Sequence, residues 1–253
     1  MAKAVLIDLS GVVYQGTQLI PGAAGAIGRL RAGGLPIRFL TNTTRTPKRL
    51  IAAQLRDMGV ELDDSEIFTP ARSACDWLAA RRLSPHLLVH ENLLEDFRDC
   101  ASEGEVAVII GDAGAGFTYD ALNAAFRKLL GGAPFLALAR NRTFLDMDGE
   151  LSLDAGAFVA ALEYASRRDA VVLGKPSPEF FGMGVASCGC RPEEVVMIGD
   201  DAEADIAGAL SAGIGAALLV RTGKYQAGDE HAFDPRPTGV VDDLPAAIDR
   251  ILH

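Results

Sequence analysis

The chain has 253 residues, 49% of them hydrophobic and 23% charged, a composition typical of a folded globular protein and not of a disordered one. Its 34 acidic and 24 basic residues give a net charge of −10, which argues against a nucleic-acid partner because phosphate binding depends on positive charge. The longest hydrophobic stretch, residues 206–220, is interrupted by Ser211 and three glycines and is shorter than the ~20 residues of a membrane span. We therefore expect neither a nucleic-acid nor a membrane partner, and we interpret this stretch as a helix followed by a buried strand.

The cysteine content and the first residues indicate a reducing compartment. The chain contains four cysteines, and the two closest, Cys188 and Cys190, are too close for an ordinary zinc or redox pair. The first hydrophobic segment ends already at Asp8, without the longer apolar core that a signal peptide requires. Together these features predict a cytoplasmic protein.

Short hydrophobic runs that end in small or polar residues recur along the chain and suit strands that are covered on both faces of a parallel sheet. These runs are residues 4–7, 37–40, 170–173, 195–198 and 216–220. Helical patterns lie between several of them, one ending at Gly33 and another with Thr46 as N-cap that ends before Gly59. The alternation predicts an α/β fold with a doubly wound, Rossmann-like parallel sheet.

A second region begins after Thr69 and Pro70, which open a helix, and runs for about a hundred residues with its own strand and helix signals. We expect strands at residues 87–89, 106–110 and 135–138, a helix at 119–130, and a hairpin that turns at Asp148 and Gly149. The pattern predicts a core domain made of residues 1–70 and 173–253, interrupted by an inserted α/β domain at residues 71–172.

Polar side chains follow four of the predicted strands. They are Asp8, then Thr41 with Asn42, then Lys175, and finally Asp200 and Asp201 with Asp205 close behind. Each has an ordinary structural explanation, such as a turn residue, a surface lysine or a helix cap. The carboxyl ends of parallel strands, however, form the ligand-binding edge of an open sheet. An acid, a hydroxyl, a lysine and an acidic pair in that order favour phosphoryl transfer.

The ordered set of Asp8, Thr41, Lys175 and the pair Asp200 and Asp201 resembles the four motifs of the haloacid dehalogenase (HAD) superfamily of phosphatases. The inserted region resembles the type II cap of subclass IIA of that superfamily. The segments 174–181 and 221–225 also resemble it, whereas His231 beyond them is interpreted as part of a solvated loop. The resemblance implies a small phosphorylated substrate and, in similar proteins, a homodimer formed through the cap.

The resemblance also implies roles for the site residues. Asp8 would attack phosphorus and form an aspartyl-phosphate, Thr41 and Asn42 would hold phosphate oxygens, and Lys175 would stabilise the transferring group.

A magnesium ion is the implied cofactor. Asp8, the backbone carbonyl of Ser10 and Asp200 would bind Mg²⁺, while Asp201 and Asp205 would act through water or by orienting Lys175. Charge supports the need for this ion, because four carboxylates against one lysine leave the site strongly negative before any phosphate arrives.

Ser10 departs from the family pattern, in which most members carry a second aspartate that protonates the leaving group. Serine does this poorly near neutral pH, and general acid–base help is typically worth about 10² to 10⁴ in rate. We therefore expect substrates whose leaving group needs no added proton: phosphoramidates such as phospholysine and phosphohistidine, or inorganic pyrophosphate. Two alternatives stay open, a broad-specificity phosphate monoester phosphatase and a phosphate-binding regulatory protein with low turnover.

Overall fold

The computed structural model describes residues 2–101, 103–145 and 150–253. In chain order, the strands are β1 (Ala4–Asp8), β2 (Tyr14–Gln15), β3 (Gln18–Leu19), β4 (Ile37–Leu40), β5 (Ile67–Phe68), β6 (Ser84–Leu88), β7 (Val106–Ile110), β8 (Phe135–Ala137), β9 (Thr143–Leu145), β10 (Leu151–Leu153), β11 (Val171–Val172), β12 (Val195–Gly199), β13 (Ala216–Val220) and β14 (Gly239–Val241). The α-helices are α1 (Ala23–Ala32), α2 (Lys48–Asp57), α3 (Pro70–Arg81), α4 (Tyr119–Leu130), α5 (Ala155–Ser166), α6 (Pro178–Ser187), α7 (Gly208–Ser211) and α8 (Leu244–Leu252).

The chain forms two compact units. Among the described residues, the first unit comprises 2–41, 49–68 and 175–253, and the second comprises 42–48 and 69–174. The short segment 42–48 belongs to the second unit because Arg45 forms an ion pair with Asp112, and the Thr44 hydroxyl accepts the backbone N–H of Asp112 at 3.2 Å.

The first unit is built on a six-stranded sheet of order β14-β13-β12-β1-β4-β5, in which every neighbouring pair is parallel. Residues of β1 alternate between two hydrophobic clusters. Val5 and Ile7 pack with α1, α2 and α8 on one face, and Ala4 and Leu6 pack with α6 on the other. Because both faces are covered, the strands are continuous hydrophobic runs. The predicted doubly wound α/β fold is confirmed.

The order of the strands places the ligand-binding edge. From β1 the chain proceeds to β4 on one side, and the later strands β12 and β13 are added on the other side. The direction of winding therefore reverses between β1 and β12, and the carboxyl ends at such a reversal leave a crevice where ligands bind. The ends of these two strands carry Asp8 and Asp200.

The second unit has its own four-stranded parallel sheet, of order β11-β8-β7-β6. Ala107 and Ile109 of β7 face a cluster that includes α3, whereas Val108 and Ile110 face α4 and α5. Strand β7 and helix α4 have the predicted bounds. Strand β6 begins at 84 rather than 87, since its parallel pairing with β7 already starts there. Strands β9 and β10 pair antiparallel, and the turn predicted at Asp148 and Gly149 lies outside the described residues.

Other features differ from the sequence-based expectations. The run 170–173, one of those predicted to suit a parallel sheet, forms the short strand β11, which pairs parallel with β8 in the second unit. The edge strands β5 and β14 were not predicted, because two or three residues carry little periodic signal. Residues 206–220 do form a helix and then a strand, and the helix begins with a π-helical turn at Ala202–Ala207. Within the described part of the chain, none of the helices combines the length and hydrophobicity that a membrane crossing demands.

Candidate active site

Three buried carboxylates meet at the carboxyl end of the main sheet. Asp8 ends β1, Asp200 follows β12, and the register of these two parallel strands brings both to the same edge. Asp205 joins them from the π-helical turn, and only 1% of Asp205 and of Asp200 is exposed. One oxygen from each of the three side chains lies within 4.8 Å of the others. Such crowding of like charges requires positive charge nearby.

Lys175 supplies one positive charge from within the cluster. Its ammonium lies 2.7 Å from the Asp205 carboxylate, donates a hydrogen bond to Asp8 and reaches the backbone carbonyl of Leu40 at 3.4 Å. Burial favours the neutral amine, but Asp205 and Asp8 outweigh it and hold the pKa of Lys175 above its ordinary value. The lysine is therefore charged at neutral pH.

One lysine does not offset three acids. Burial, followed by repulsion from Asp8 and Asp205, raises the pKa of Asp200 to about 8. The pKa of Asp205 is raised to about 7, again chiefly by burial, although Lys175 opposes the shift. The three carboxyl groups therefore do not all ionise near neutral pH unless another cation is present.

The unsatisfied atoms of the cluster fit a hard metal ion. The Asp200 Oδ1 atom is buried and has no hydrogen-bond partner among the described residues. Buried polar atoms are normally paired, so an orphaned oxygen on a carboxylate that lies close to two further carboxylates marks a place for a cation. Hard divalent cations such as Mg²⁺ prefer oxygen ligands of this kind. The donor set therefore fits a divalent metal ion.

Local hydrogen bonds hold the turn that carries Asp205. The Asp201 carboxylate caps this turn by accepting the backbone N–H groups of Glu203 and Ala204, at 3.1 and 2.9 Å. In return, the Asp201 N–H donates to Asp205 Oδ2 at 3.2 Å. Burial opposes ionisation of Asp201, but the Lys224 ammonium at 3.0 Å and the capping N–H groups leave its pKa below the ordinary value. Asp201 thus acts on Asp205 through the backbone.

Sequence reasoning missed the contribution of the loop after β13. The Lys224 backbone N–H donates to Asp200 Oδ2 at 2.7 Å, and the Thr222 hydroxyl donates to the Gly11 carbonyl at 2.5 Å. The family-like segment 221–225 was the available signal, but its spatial neighbours depend on the sheet order and cannot be inferred from spacing.

Tyr14 of β2 is a second group that the sequence did not single out. Burial, and then the negative charge of Asp8, raise the pKa of Tyr14 to about 12, so its hydroxyl stays protonated. No pattern of residue types in the chain distinguishes this tyrosine from a packing residue.

The other predicted site residues are placed as follows. Thr41 is buried at the end of β4, the neighbour of β1, and its N–H donates to Phe68 at 3.2 Å. Ser10 is exposed two residues after Asp8, and its backbone bridges to Tyr14. The structure thus brings Asp8, Lys175, Asp200, Asp201 and Asp205 together in the first unit.

Asn42 belongs to the second unit, and a Cβ built on Gly174 would lie 2.6 Å from its amide oxygen.

Comparison with known proteins adds independent evidence. Residues 5–103 match the family model described as haloacid dehalogenase-like hydrolase, and residues 172–247 match a second, HAD-hydrolase-like model. Haloacid dehalogenase-like hydrolase domain-containing protein 2 from Bos taurus is 42% identical over 251 residues, covering 99% of this chain and 96% of that relative. Phospholysine phosphohistidine inorganic pyrophosphate phosphatase from Danio rerio is 43% identical over 256 residues, covering 99% and 94%.

A solved structure has the same fold. Glycerol phosphate phosphatase from Mycobacterium tuberculosis, in complex with magnesium, superimposes with a TM-score of 0.82 at 28% identity. The match covers 97% of this chain and 76% of that one.

Proposed function

This chain belongs to the haloacid dehalogenase-like hydrolases, as its motifs predicted, and we propose that it is a metal-dependent phosphatase that works through an aspartyl-phosphate on Asp8. The observation that carries the proposal is the buried cluster of Asp8, Asp200 and Asp205 around the ammonium of Lys175. The substrates are phosphoramidates, phospholysine and phosphohistidine among them, or inorganic pyrophosphate.

The carboxylate of Asp8 is the nucleophile. It attacks phosphorus, the bond from phosphorus to the leaving group breaks, and water then cleaves the aspartyl-phosphate, so that one difficult displacement becomes two easier ones. Lys175 holds the carboxylate of Asp8 before the attack and stabilises the negative charge of the transferring group. Thr41 and Asn42 hold phosphate oxygens.

Mg²⁺ is the proposed cofactor, with Asp8, the Ser10 carbonyl and Asp200 as its protein ligands. The orphaned Asp200 Oδ1 atom supports this assignment. When bound, the ion neutralises the carboxylates and the incoming phosphate. Asp205 orients Lys175 through their ion pair, and Asp201 holds the backbone of Asp205 in place.

Ser10 directs the choice of substrate. A side chain without a carboxyl group gives little help to an alkoxide leaving group, which needs a proton. A phosphoramidate protonated on nitrogen releases a neutral amine, and pyrophosphate releases a stabilised phosphate, so neither depends on a general acid. The name of the Danio rerio relative, a phospholysine phosphohistidine inorganic pyrophosphate phosphatase, is in keeping with this preference.

Domain roles and assembly follow from the same proposal. Residues 1–70 and 173–253 form the catalytic core, and residues 71–172 form a cap that selects the leaving group. The cap also forms a homodimer, as the resemblance to similar proteins implies. Sedimentation equilibrium of the full chain tests the dimer.

All four cysteines are free thiols, in keeping with a cytoplasmic location.

A substrate screen tests the proposed activity. The wild type is assayed with Mg²⁺ against phospholysine, phosphohistidine, pyrophosphate, p-nitrophenyl phosphate and glycerol phosphate, with Asp8→Asn as the inactive control. We expect the first three to be turned over fastest, and excess EDTA to abolish turnover. Fastest hydrolysis of glycerol phosphate would favour a monoester phosphatase. Phosphate binding without hydrolysis of any compound would favour a regulatory protein, and full activity in EDTA would contradict the metal site.

A further inference from the structure

Two loops of the first unit, residues 9–13 after β1 and residues 221–225 after β13, meet at the Asp200 carboxylate. Gly11 and Gly223 have φ angles of 89° and 64°, and the two glycines face each other across this contact. A Cβ on Gly11 would lie 2.9 Å from the Gly223 Cα, and a Cβ on either glycine would overlap Asp200 Oδ2. We call these two loops, where they enclose Asp200, the glycine clasp. Only residues without a side chain allow this approach.

The two carboxylate oxygens of Asp200 have different surroundings in the glycine clasp. Oδ2 is enclosed by the glycines and accepts the Lys224 backbone N–H at 2.7 Å. Oδ1 is buried and has no hydrogen-bond partner in the described residues. One oxygen is therefore fixed by the protein, and the other is left without a hydrogen bond from the described residues in a carboxylate that lies close to Asp8 and Asp205. This is the arrangement expected of a carboxylate that binds a metal through one oxygen.

A side-chain hydrogen bond connects the two loops. The Thr222 hydroxyl donates to the Gly11 carbonyl at 2.5 Å, between residues 211 positions apart in sequence. The other side-chain link of this segment, Lys224 to Asp201, is formed by a lysine whose side chain is 63% exposed, and exposed ion pairs contribute little. The Thr222 hydroxyl is thus the principal side-chain link that we identify across the clasp.

We propose that Thr222 is a positioning residue for the metal site: by joining the two loops, its hydroxyl holds Asp200 so that Oδ1 points toward the cation. The inference rests on the proposed metal site. It assigns Thr222 no contact with substrate or metal. The chemistry requires only a hydroxyl that reaches Gly11, so serine should replace threonine and valine, which has the same shape, should not.

The test compares Mg²⁺ binding by three variants of the full chain after EDTA treatment and dialysis. The apparent Mg²⁺ dissociation constant is obtained from the rise of Tm with magnesium chloride concentration. We expect Thr222→Val to weaken Mg²⁺ binding about three- to tenfold, the effect of losing one hydrogen bond, and Thr222→Ser to stay within about twofold of wild type. Thr238→Val is the matched control, because Thr238 Oγ1 accepts the Ala217 N–H at 3.0 Å at the β13–β14 edge of the same unit.

The outcomes separate a positioning role from a merely structural one. A structural role would lower the Tm of metal-free Thr222→Val and Thr238→Val alike without changing either dissociation constant, and this result would overturn the inference. Failure of Thr222→Ser to restore binding would also overturn it. If the wild type shows no Mg²⁺-dependent rise in Tm, the proposed metal site fails along with the inference. If the wild type responds and Thr222→Val responds equally, only the inference fails.

Discussion

Lys175 and Asp205 form an ion pair of 2.7 Å in which the side chains are only 4% and 1% exposed. A buried charge pair is a weak source of net stability, but the removal of one partner leaves an uncompensated charge in the interior. Since Lys175 also binds Asp8, the same ammonium serves the stability of the metal-free protein and the orientation of the nucleophile.

Removal of this ammonium should therefore affect both properties. We expect Lys175→Met to lower the free energy of unfolding of the metal-free protein at pH 8 by about 3–5 kcal/mol and to abolish turnover. Urea unfolding and a phosphate-release assay measure the two effects. Lys3→Met is the control, because Lys3 pairs with Glu194 at 2.8 Å with 64% of its side chain exposed, and its loss should change neither property. Unaltered unfolding of Lys175→Met would contradict the buried pair.

The raised pKa values of Asp200 and Asp205 predict how Mg²⁺ binding depends on pH. The pKa values of Asp200 and Asp205, about 8 and about 7, lie above the ordinary value of 3.8. At a pH between 3.8 and these raised values, the folded protein therefore binds more protons than the unfolded chain. Stability contributed by this protonation is present at low pH and is lost as pH rises through 7 and 8. Mg²⁺ must displace the same protons and therefore binds more strongly at high pH.

We accordingly expect the Tm gain from Mg²⁺ to be larger at pH 8.5 than at pH 6, with an apparent dissociation constant at least about tenfold lower. Without metal, titration of these two carboxyl groups should lower Tm between the same pH values. An equal Mg²⁺ effect at both values would show that the cluster does not titrate in this range.

The lack of a carboxyl group at Ser10 predicts a selective gain for Ser10→Asp. A carboxyl group at this position supplies the missing general acid, so turnover of glycerol phosphate should rise by about 10²-fold or more. Turnover of a phosphoramidate should change much less. Steady-state kcat values for both compounds, measured in parallel, give the ratio. If glycerol phosphate is already the better substrate of the wild type and Ser10→Asp gains nothing, protonation of the leaving group does not determine the choice of substrate.

Substitution of Gly223 tests the glycine clasp, and the same substitution at Gly189 is the control. Gly223→Ala would place a Cβ against Asp200 Oδ2 and the Gly11 backbone, so Mg²⁺-dependent stabilisation and turnover should both be lost. Gly189 has the same φ of 64°, but no described atom outside its own neighbours lies within 4 Å of a Cβ built there. Gly189→Ala therefore costs only the backbone strain, about 1–2 kcal/mol, and should keep Mg²⁺ binding. Equal Mg²⁺ binding by Gly223→Ala and Gly189→Ala would contradict the close approach of Gly223 to Asp200.

Much of the site could be predicted because its acids directly follow strongly hydrophobic strands. Hydrophobic composition alone was enough to predict the strands β1, β4, β12 and β13. The motifs then placed Asp8 and Asp200 at one edge of the sheet. Thr222 could not be predicted, because its role depends on which loops the sheet order brings together. The pairing of the strand before Lys175 with β8 could not be predicted either, since a hydrophobic run of four residues does not specify its pairing partner.

The central proposal is that Asp8 accepts the phosphoryl group, and chemical trapping tests it most directly. Enzyme quenched in acid during turnover of its best substrate is treated with borohydride, which reduces an aspartyl-phosphate to homoserine, and the peptide that contains Asp8 is analysed by mass spectrometry. We expect homoserine at position 8 when substrate and Mg²⁺ are present and unmodified aspartate when either is omitted. Unmodified Asp8 in enzyme quenched during rapid turnover, together with retained hydrolysis by Asp8→Asn, would contradict the mechanism.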